Sequence, residues 1–261
     1  MFFCLKKLLN AFETYSFGGF FLKIGILGGT GNMGGGLSVR WALKHDVILG
    51  SRSLEKALEI AKEQESVARG FYQADIRGSI TGALNCDVAS EADVVVVALP
   101  CAGIIGVLGQ VKKCFRADQT VLSVVVPMQK RKGLFNYVPL ATEQMKQYRG
   151  LSAAEVIQKI VAPTPVVSAF QTVPADYLDN VDSIMNIDVL VAGDNPNSIE
   201  LVSNLITDIS NLRPLRVGAL VNSALIESLT PLLLNVAVLN GLKEPSIRIV
   251  PWIPKCFEKQ R

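Results

Sequence analysis

The stretch Leu22-Lys23-Ile24-Gly25-Ile26-Leu27-Gly28-Gly29-Thr30-Gly31-Asn32-Met33-Gly34 decides the fold. Its first half is an apolar run of the length of one buried strand, and it ends in a glycine turn. Leu37 and Trp41, four residues apart, give the segment beyond it helical spacing. Gly29, Gly31 and Gly34 fit G-x-G-x-x-G in the strand-turn-helix setting that a dinucleotide site requires. Glycine serves there because the turn is tight, the backbone must approach a pyrophosphate, and the helix must pack close to the strand. Free N–H groups at the helix start then face the phosphates, assisted by the helix dipole.

Working outward, Val47-Ile48-Leu49-Gly50 reads as the second strand and Leu54 to about Arg69 as a polar-faced helix. An NAD site normally carries an acidic residue at the end of this strand for the ribose hydroxyls. Here Ser51 and Arg52 stand in its place, and Lys56 follows four residues after Arg52. A carboxylate would repel a 2′-phosphate, whereas a guanidinium forks onto one and serine and lysine add donors. These residues favour NADP over NAD; the alternative is a solvated loop with incidental cations.

Asp93 to Pro100 carries four consecutive valines without alternation, as buried parallel strands do. The 18 residues Val94 to Val111 hold no formal charge, which is the length of a membrane span. Pro100, Gly103, Gly106 and Gly109 interrupt them, so the sequence predicts strand, crevice loop and crossover helix, with Cys101 and Ile105 facing the cofactor. Cys101 reads as a reactive thiol or, in preference, as a small contact residue, since no base or cation is evident beside it. Val121 to Pro127 is the next strand, running to Met128, and Gln129-Lys130-Arg131-Lys132 is a cationic loop, either solvated or turned to an anionic ligand.

Leu151 to Val161 has the spacing of an amphipathic helix, and Val166 to Phe170 is a strand leading into Gln171-Thr172-Val173-Pro174-Ala175. Val189 to Gly193 is a further strand, Asn197 to Ile209 a helix, and Leu212-Arg213-Pro214-Leu215 a last strand or turn. Ala219 to about Asn240 is a long apolar helix, interrupted or bent near Pro231. The expected architecture is α/β: a Rossmann-type, doubly wound, mostly parallel sheet with a small C-terminal helical part. Residues 1–21 read as an N-terminal extension and 22–182 as the NADP-binding domain. Residues 183–245 read as a smaller part completing the cleft, and 246–261 as an irregular tail.

Composition bounds the function. With 49% hydrophobic and 19% charged residues in 261, the chain has a globular core rather than a disordered character. The net charge of +3 is scattered, which argues against a nucleic-acid surface and suits a small anionic ligand. Residues 1–21 are apolar but charge-interrupted, without a continuous signal-peptide core. Five cysteines at 4, 86, 101, 114 and 256 form no C-x-x-C, and the odd count predicts reduced thiols in a cytoplasmic protein rather than disulfides or zinc. The single histidine, His45, beside Asp46, reads as a surface turn residue; one histidine leaves little room for His-based catalysis, and no metal site is expected.

The chain resembles the NADPH:coenzyme F420 oxidoreductase family. The resemblance rests on Leu27 to Gly34, Gly50-Ser51-Arg52, Ser79-Ile80-Thr81-Gly82, Ser152-Ala153-Ala154-Glu155, Leu212-Arg213-Pro214-Leu215 and Glu227-Ser228-Leu229-Thr230-Pro231-Leu232. It spans about residues 22–242, and the last two motifs are its more specific part. It implies hydride exchange between NADP(H) and a 5-deazaflavin, coenzyme F420. It also implies nucleotide contacts at Thr30, Gly31, Asn32, Met33, Ser51, Arg52 and Lys56, and cofactor contacts around Cys101, Ile105, Val126, Met128 and Ala175. The chain departs from the family pattern at Cys101, where an aromatic is usual. It departs again at Gln171, where His is frequent, and at Ala224, where Arg is frequent.

In such a reaction the cofactors carry the chemistry, and the protein orients them. Gln171, Ser228 and Thr230 are candidate donors for charge developing on the acceptor ring. For the two hydroxyls the alternative is hydrogen bonding to their own helix backbone. Two other functions remain open at this point: an NADP-dependent reductase of imines, 2-hydroxy acids or ferric chelates, and a non-catalytic NADPH-binding sensor. The long apolar C-terminal helix exceeds what so small a part needs to bury, so a homodimer is expected.

Overall fold

A computed structural model of the chain describes residues 21–139 and 147–250. The expectations for residues 1–20 and 251–261 lie outside these. An eight-stranded sheet runs in the order β10-β9-β8-β5-β4-β1-β2-β3. Its strands are β1 (Lys23–Leu27), β2 (Asp46–Ser51), β3 (Ile80–Leu84), β4 (Val94–Val97), β5 (Thr120–Ser123), β8 (Val166–Ser168), β9 (Ile187–Gly193) and β10 (Leu212–Gly218). β1 to β5 and β8 are parallel neighbours; β9 pairs antiparallel with β8, and β10 parallel with β9. This is the Rossmann-type, mostly parallel sheet that the sequence predicts, and β9 and β10 extend that same sheet.

The helices are α1 (Asn32–Trp41), α2 (Leu54–Tyr72), α3 (Asn85–Glu91), α4 (Ile104–Val111), α5 (Ala153–Val161), α6 (Ala175–Asp179), α7 (Pro196–Thr207) and α8 (Ser223–Asn240). Successive strand residues point to opposite faces, and the core divides accordingly. Ile24, Ile26, Val94, Val96 and Leu122 pack with Leu37, Trp41 and Leu205, from α1 and α7. Leu27, Val95, Val97 and Val121 pack with Ile104, Leu108 and Ile157, from α4 and α5. Strands covered on both faces need no polar residues, which is why the valine run of β4 does not alternate.

Val94 to Val111 therefore divides into β4, a 3₁₀ turn and α4. Among the described residues one helical stretch, Leu220–Asn240, is long and apolar enough to cross a membrane. α8 runs through Pro231 without interruption, with Pro231 buried.

Four expectations need correction. Gln129 to Arg131 are not loop: β6 (Met128–Arg131) pairs antiparallel with β7 (Leu134–Tyr137). Lys132 and Gly133, both at positive φ, form the two-residue turn, the backbone that matches hairpin twist. The strand expected over Val121 to Pro127 keeps its ladder only to Ser123. His45 is no surface turn residue: it is 3% exposed and hydrogen-bonds the Asp208 carboxylate at 3.0 Å. Finally, Cys86 and Cys114 are joined by a disulfide. Spacing in the chain hides this pair, because α3 and the turn after α4 bring Cα atoms 28 residues apart to 5.6 Å.

Candidate active site

β1 and β4 are neighbours, and from them the strand order departs in opposite directions. Open α/β sheets bind ligands in the crevice at such a point, beyond the carboxyl ends of the strands. Here Leu27 enters Gly28, whose φ is +83° and whose added Cβ would lie 2.7 Å from the Ala98 carbonyl oxygen beyond β4. Gly34 is equally constrained, since its Cβ would come within 2.7 Å of the Gly29 Cα. α1 therefore starts tight against the turn. Its N-cap, Gly31, has no side chain to cap the first-turn N–H groups, and Gly31 and Asn32 are exposed. That leaves backbone donors at a positive helix end, which suits a pyrophosphate.

At the end of β2, the Ser51 hydroxyl accepts the Ser53 N–H at 3.2 Å, and Ser53 in turn caps α2 through the Lys56 N–H at 3.4 Å. Arg52 and Lys56 are exposed on either side of that cap. Thr30 to Met33, Arg52, Cys101 and Ile105, Val126 and Met128, and Ala175 follow β1, β2, β4, β5 and β8 respectively, and Ser51 is the last residue of β2. Those parallel strands all end at one edge of the sheet, so the topology gathers the expected contact residues there.

Gln171 follows Phe170, which takes a positive φ of 73° and packs edge-on against Trp41. Its amide nitrogen donates to the Ser123 carbonyl at 2.9 Å and to the Ser168 hydroxyl at 3.0 Å. The carbonyl can only accept, so the amide cannot be flipped. Gln171 Oε1 and Ser123 Oγ are buried without hydrogen-bond partners. What Gln171 offers a ligand is thus an acceptor rather than the expected donor. Thr230 donates to the Gln171 carbonyl at 2.7 Å, which brings α8 to the loop after β8. Ser228 donates to Leu225 of its own helix at 2.8 Å and is partly exposed.

One residue at this edge is named in the sequence reading only as part of a motif, without a role. Glu227 is 0% exposed, yet it is a carboxylate. Its oxygens accept the N–H groups of Ala153 and Ala154 at 3.0 Å each, at the start of α5, and the Tyr137 hydroxyl at 3.1 Å. Burial pushes its pKa up to about 7, against the three donors that favour the carboxylate. Cys101 has a base nearby after all: burial, and then the Glu227 charge, push its thiol up to about 11. A thiol so raised stays protonated and unreactive at neutral pH. The available signal was charge, because Glu227 is the one ionisable residue in 219–240.

Residues 23–127 match the family described as NADP oxidoreductase, coenzyme F420-dependent. The chain is 35% identical over 228 residues to the F420-dependent NADP reductase of Methanocaldococcus jannaschii, covering 87% of this chain and 98% of that one. The chain belongs to the F420-dependent NADP reductase family. The reductase of Methanothermobacter marburgensis is 32% identical over 231 residues, covering 87% and 98% of the two chains. In fold, a solved Arthrobacter sp. FB24 protein provisionally described as an F420-dependent NADP-reductase superposes with a TM-score of 0.70 at 20% identity, over 88% of this chain and all of that one. An imine reductase from Streptomyces aurantiacus gives 0.53 at 16% identity, over 84% of this chain and 63% of that one. Family membership rests on the sequence relatives, and these two likenesses speak for the fold alone.

Proposed function

We infer that this chain transfers a hydride between NADP(H) and coenzyme F420, a 5-deazaflavin. The carrying observation is the 35% identity to the Methanocaldococcus jannaschii F420-dependent NADP reductase over 98% of that chain. The nicotinamide C4 gives the hydride to the deazaflavin C5, or receives it. The chain's part is to bind and orient. Gly29 and the N–H groups from Thr30 to Met33 hold the pyrophosphate, and Gly31 keeps the turn open there, since a Cβ on it would meet nothing nearer than the Gly28 carbonyl oxygen at 3.7 Å. Ser51, Arg52 and Lys56 select the 2′-phosphate. Cys101, Ile105, Val126, Met128 and Ala175 line the ring side. Ser228, itself partly exposed, turns toward the deazaflavin, while Thr230 and Gln171 fix the loop beneath it. Lys130 and Arg131, exposed on β6, steer the anionic tail of F420.

The protein works in the cytoplasm as a homodimer, without membrane or nucleic-acid partners. Leu225, Leu232, Val236 and Leu239 line up along α8 and are exposed, which supports a second copy as their cover. The division into an NADP-binding domain, 22–182, and a smaller part, 183–245, is kept as a functional one. The test is a transfer assay with deuterium at nicotinamide C4. Direct transfer carries the label to deazaflavin C5 without exchange with water. Absence of turnover with deazaflavin, alongside reduction of an imine, ketone or ferric chelate, would select the other reductase reading, for which Gln171 and Ala224 leave room. NADPH binding without any turnover would select the sensor.

A further inference from the structure

We propose that Glu227 is a positioning residue of the deazaflavin site, which as a carboxylate locks the β6–β7 hairpin to α5 and α8 and on protonation releases it. The proposal rests on the F420 reading for its kinetic consequence, though not for the lock itself. The geometry is a three-way junction. Oε2 accepts both the Ala153 N–H and the Tyr137 hydroxyl, and Oε1 accepts the Ala154 N–H. Tyr137 belongs to β7, Ala153 and Ala154 to α5, and Glu227 to α8. One side chain therefore joins three elements remote in sequence.

Two neighbouring contacts align the junction. The Ser223 hydroxyl, one turn earlier on α8, meets that of Ser152 at 3.0 Å. Asn235 holds the hairpin further along, accepting the Phe135 N–H at 2.7 Å and donating to its carbonyl at 2.8 Å. β6, the other strand of the hairpin, carries Met128, Lys130 and Arg131, the residues assigned above to the ring and the tail. Holding Tyr137 thus holds the wall against which the deazaflavin lies.

A proton on Glu227 changes this. A neutral acid is a weaker acceptor, and Oε2 already serves two donors, so protonation there displaces one of them. The groups facing Glu227 are Tyr137 from β7, Cys101 from the loop after β4 and Glu155 from α5. None of these is a cation, and among the described residues the carboxylate relies on hydrogen bonds alone against burial. Burial lifts its pKa to about 7, which brings the change into the physiological range.

The experiment compares wild type, Glu227→Gln and Tyr137→Phe over pH 5.5 to 8.5, measuring KM for deazaflavin, KM for NADPH and kcat. In wild type, KM for deazaflavin should rise up to about tenfold as pH falls through neutrality, with kcat and KM for NADPH nearly flat, as loss of one charged hydrogen bond predicts. Glu227→Gln should abolish that bend. Tyr137→Phe removes the hydroxyl that ties the hairpin to Glu227, so it too should lose the bend, with KM for deazaflavin staying at its raised, low-pH value throughout. Titration of the deazaflavin itself is common to all three proteins and cancels. A bend that persists in either folded variant overturns the proposal; if Glu227→Gln does not fold, a bend that persists in Tyr137→Phe overturns it alone. Amide hydrogen exchange over residues 128–137, corrected for intrinsic rate, should accelerate below pH 7 in wild type. It needs no turnover, so lack of deazaflavin activity with intact pH-dependent exchange sinks the functional reading and leaves the lock. Exchange insensitive to pH sinks the lock.

Discussion

Thr230 of α8 donates its hydroxyl to the main-chain carbonyl of Gln171 at 2.7 Å, across 59 residues of sequence. The bond fixes the chain direction where Gln171 leaves Phe170, whose φ of 73° is one that a bulky side chain rarely takes. Ser228, two residues earlier, donates instead to Leu225 within α8. The two hydroxyls of the Glu227-Ser228-Leu229-Thr230-Pro231 motif therefore have different duties.

Those duties can be separated. Ser228→Ala should slow hydride transfer to deazaflavin severalfold and leave thermal stability nearly unchanged. Thr230→Ala should do both: lower kcat and lower stability by about 1 kcal/mol, the usual worth of one hydrogen bond. In neither should the Kd for NADPH move more than about twofold (the resolution of an ordinary titration). Equal melting temperatures for the two variants would contradict the assignment.

Arg52→Ala tests the nucleotide. Loss of a charged hydrogen-bonding partner costs ~1.5–3 kcal/mol, or about 10- to 150-fold in affinity. NADPH should weaken by that much and NADH hardly at all. Titration showing the same loss for both would remove the 2′-phosphate from Arg52.

Asp188 offers a stability test far from the crevice. It is 0% exposed and takes Arg213 in a forked pair at 2.7 and 2.6 Å, with Arg248 at 3.4 Å and the Ile249 N–H at 2.7 Å. Removing one member of a buried pair costs about 3–5 kcal/mol, and Arg213, 20% exposed, points to the lower figure. Asp188→Ala should lower Tm by about 6–12 °C. Burial pushes the Asp188 pKa up, but the hydrogen bonds and charges of Arg213, Ile249 and Arg248 outweigh it and hold it below the usual range. A depressed carboxylate stabilises fully above its unfolded pKa of about 3.9 and loses that as pH falls through the folded value. Wild type should accordingly lose stability more steeply than the variant below about pH 4 in acid titrations.

The α8 face gives a fourth expectation. Leu232 and Leu239 are 57% and 69% exposed, seven residues apart on one side of the helix. Leu232→Glu with Leu239→Glu places like charges on both sides of a two-fold contact. Sedimentation should show a dimer for wild type and a monomer for the double variant. A wild-type monomer would end the dimer reading.

The sequence by itself determined the Rossmann-type, mostly parallel sheet, the glycine turn and the family. Each is written in neighbouring residues, because a turn, a strand period or a helix start is set by local sterics and local hydrogen bonding. Only the tertiary structure decided the rest. The 28-residue loop closed by Cys86 and Cys114 and the burial of His45 against Asp208 depend on how elements pack. So does the hairpin that absorbed the cationic stretch. Glu227 shows the reason most plainly. In sequence it is one charge on an apolar helix, with nothing to say whether it faces water. Folding removes its water and replaces it with two N–H groups from α5 and a hydroxyl from β7, and a carboxylate's proton affinity follows its surroundings rather than its neighbours in the chain.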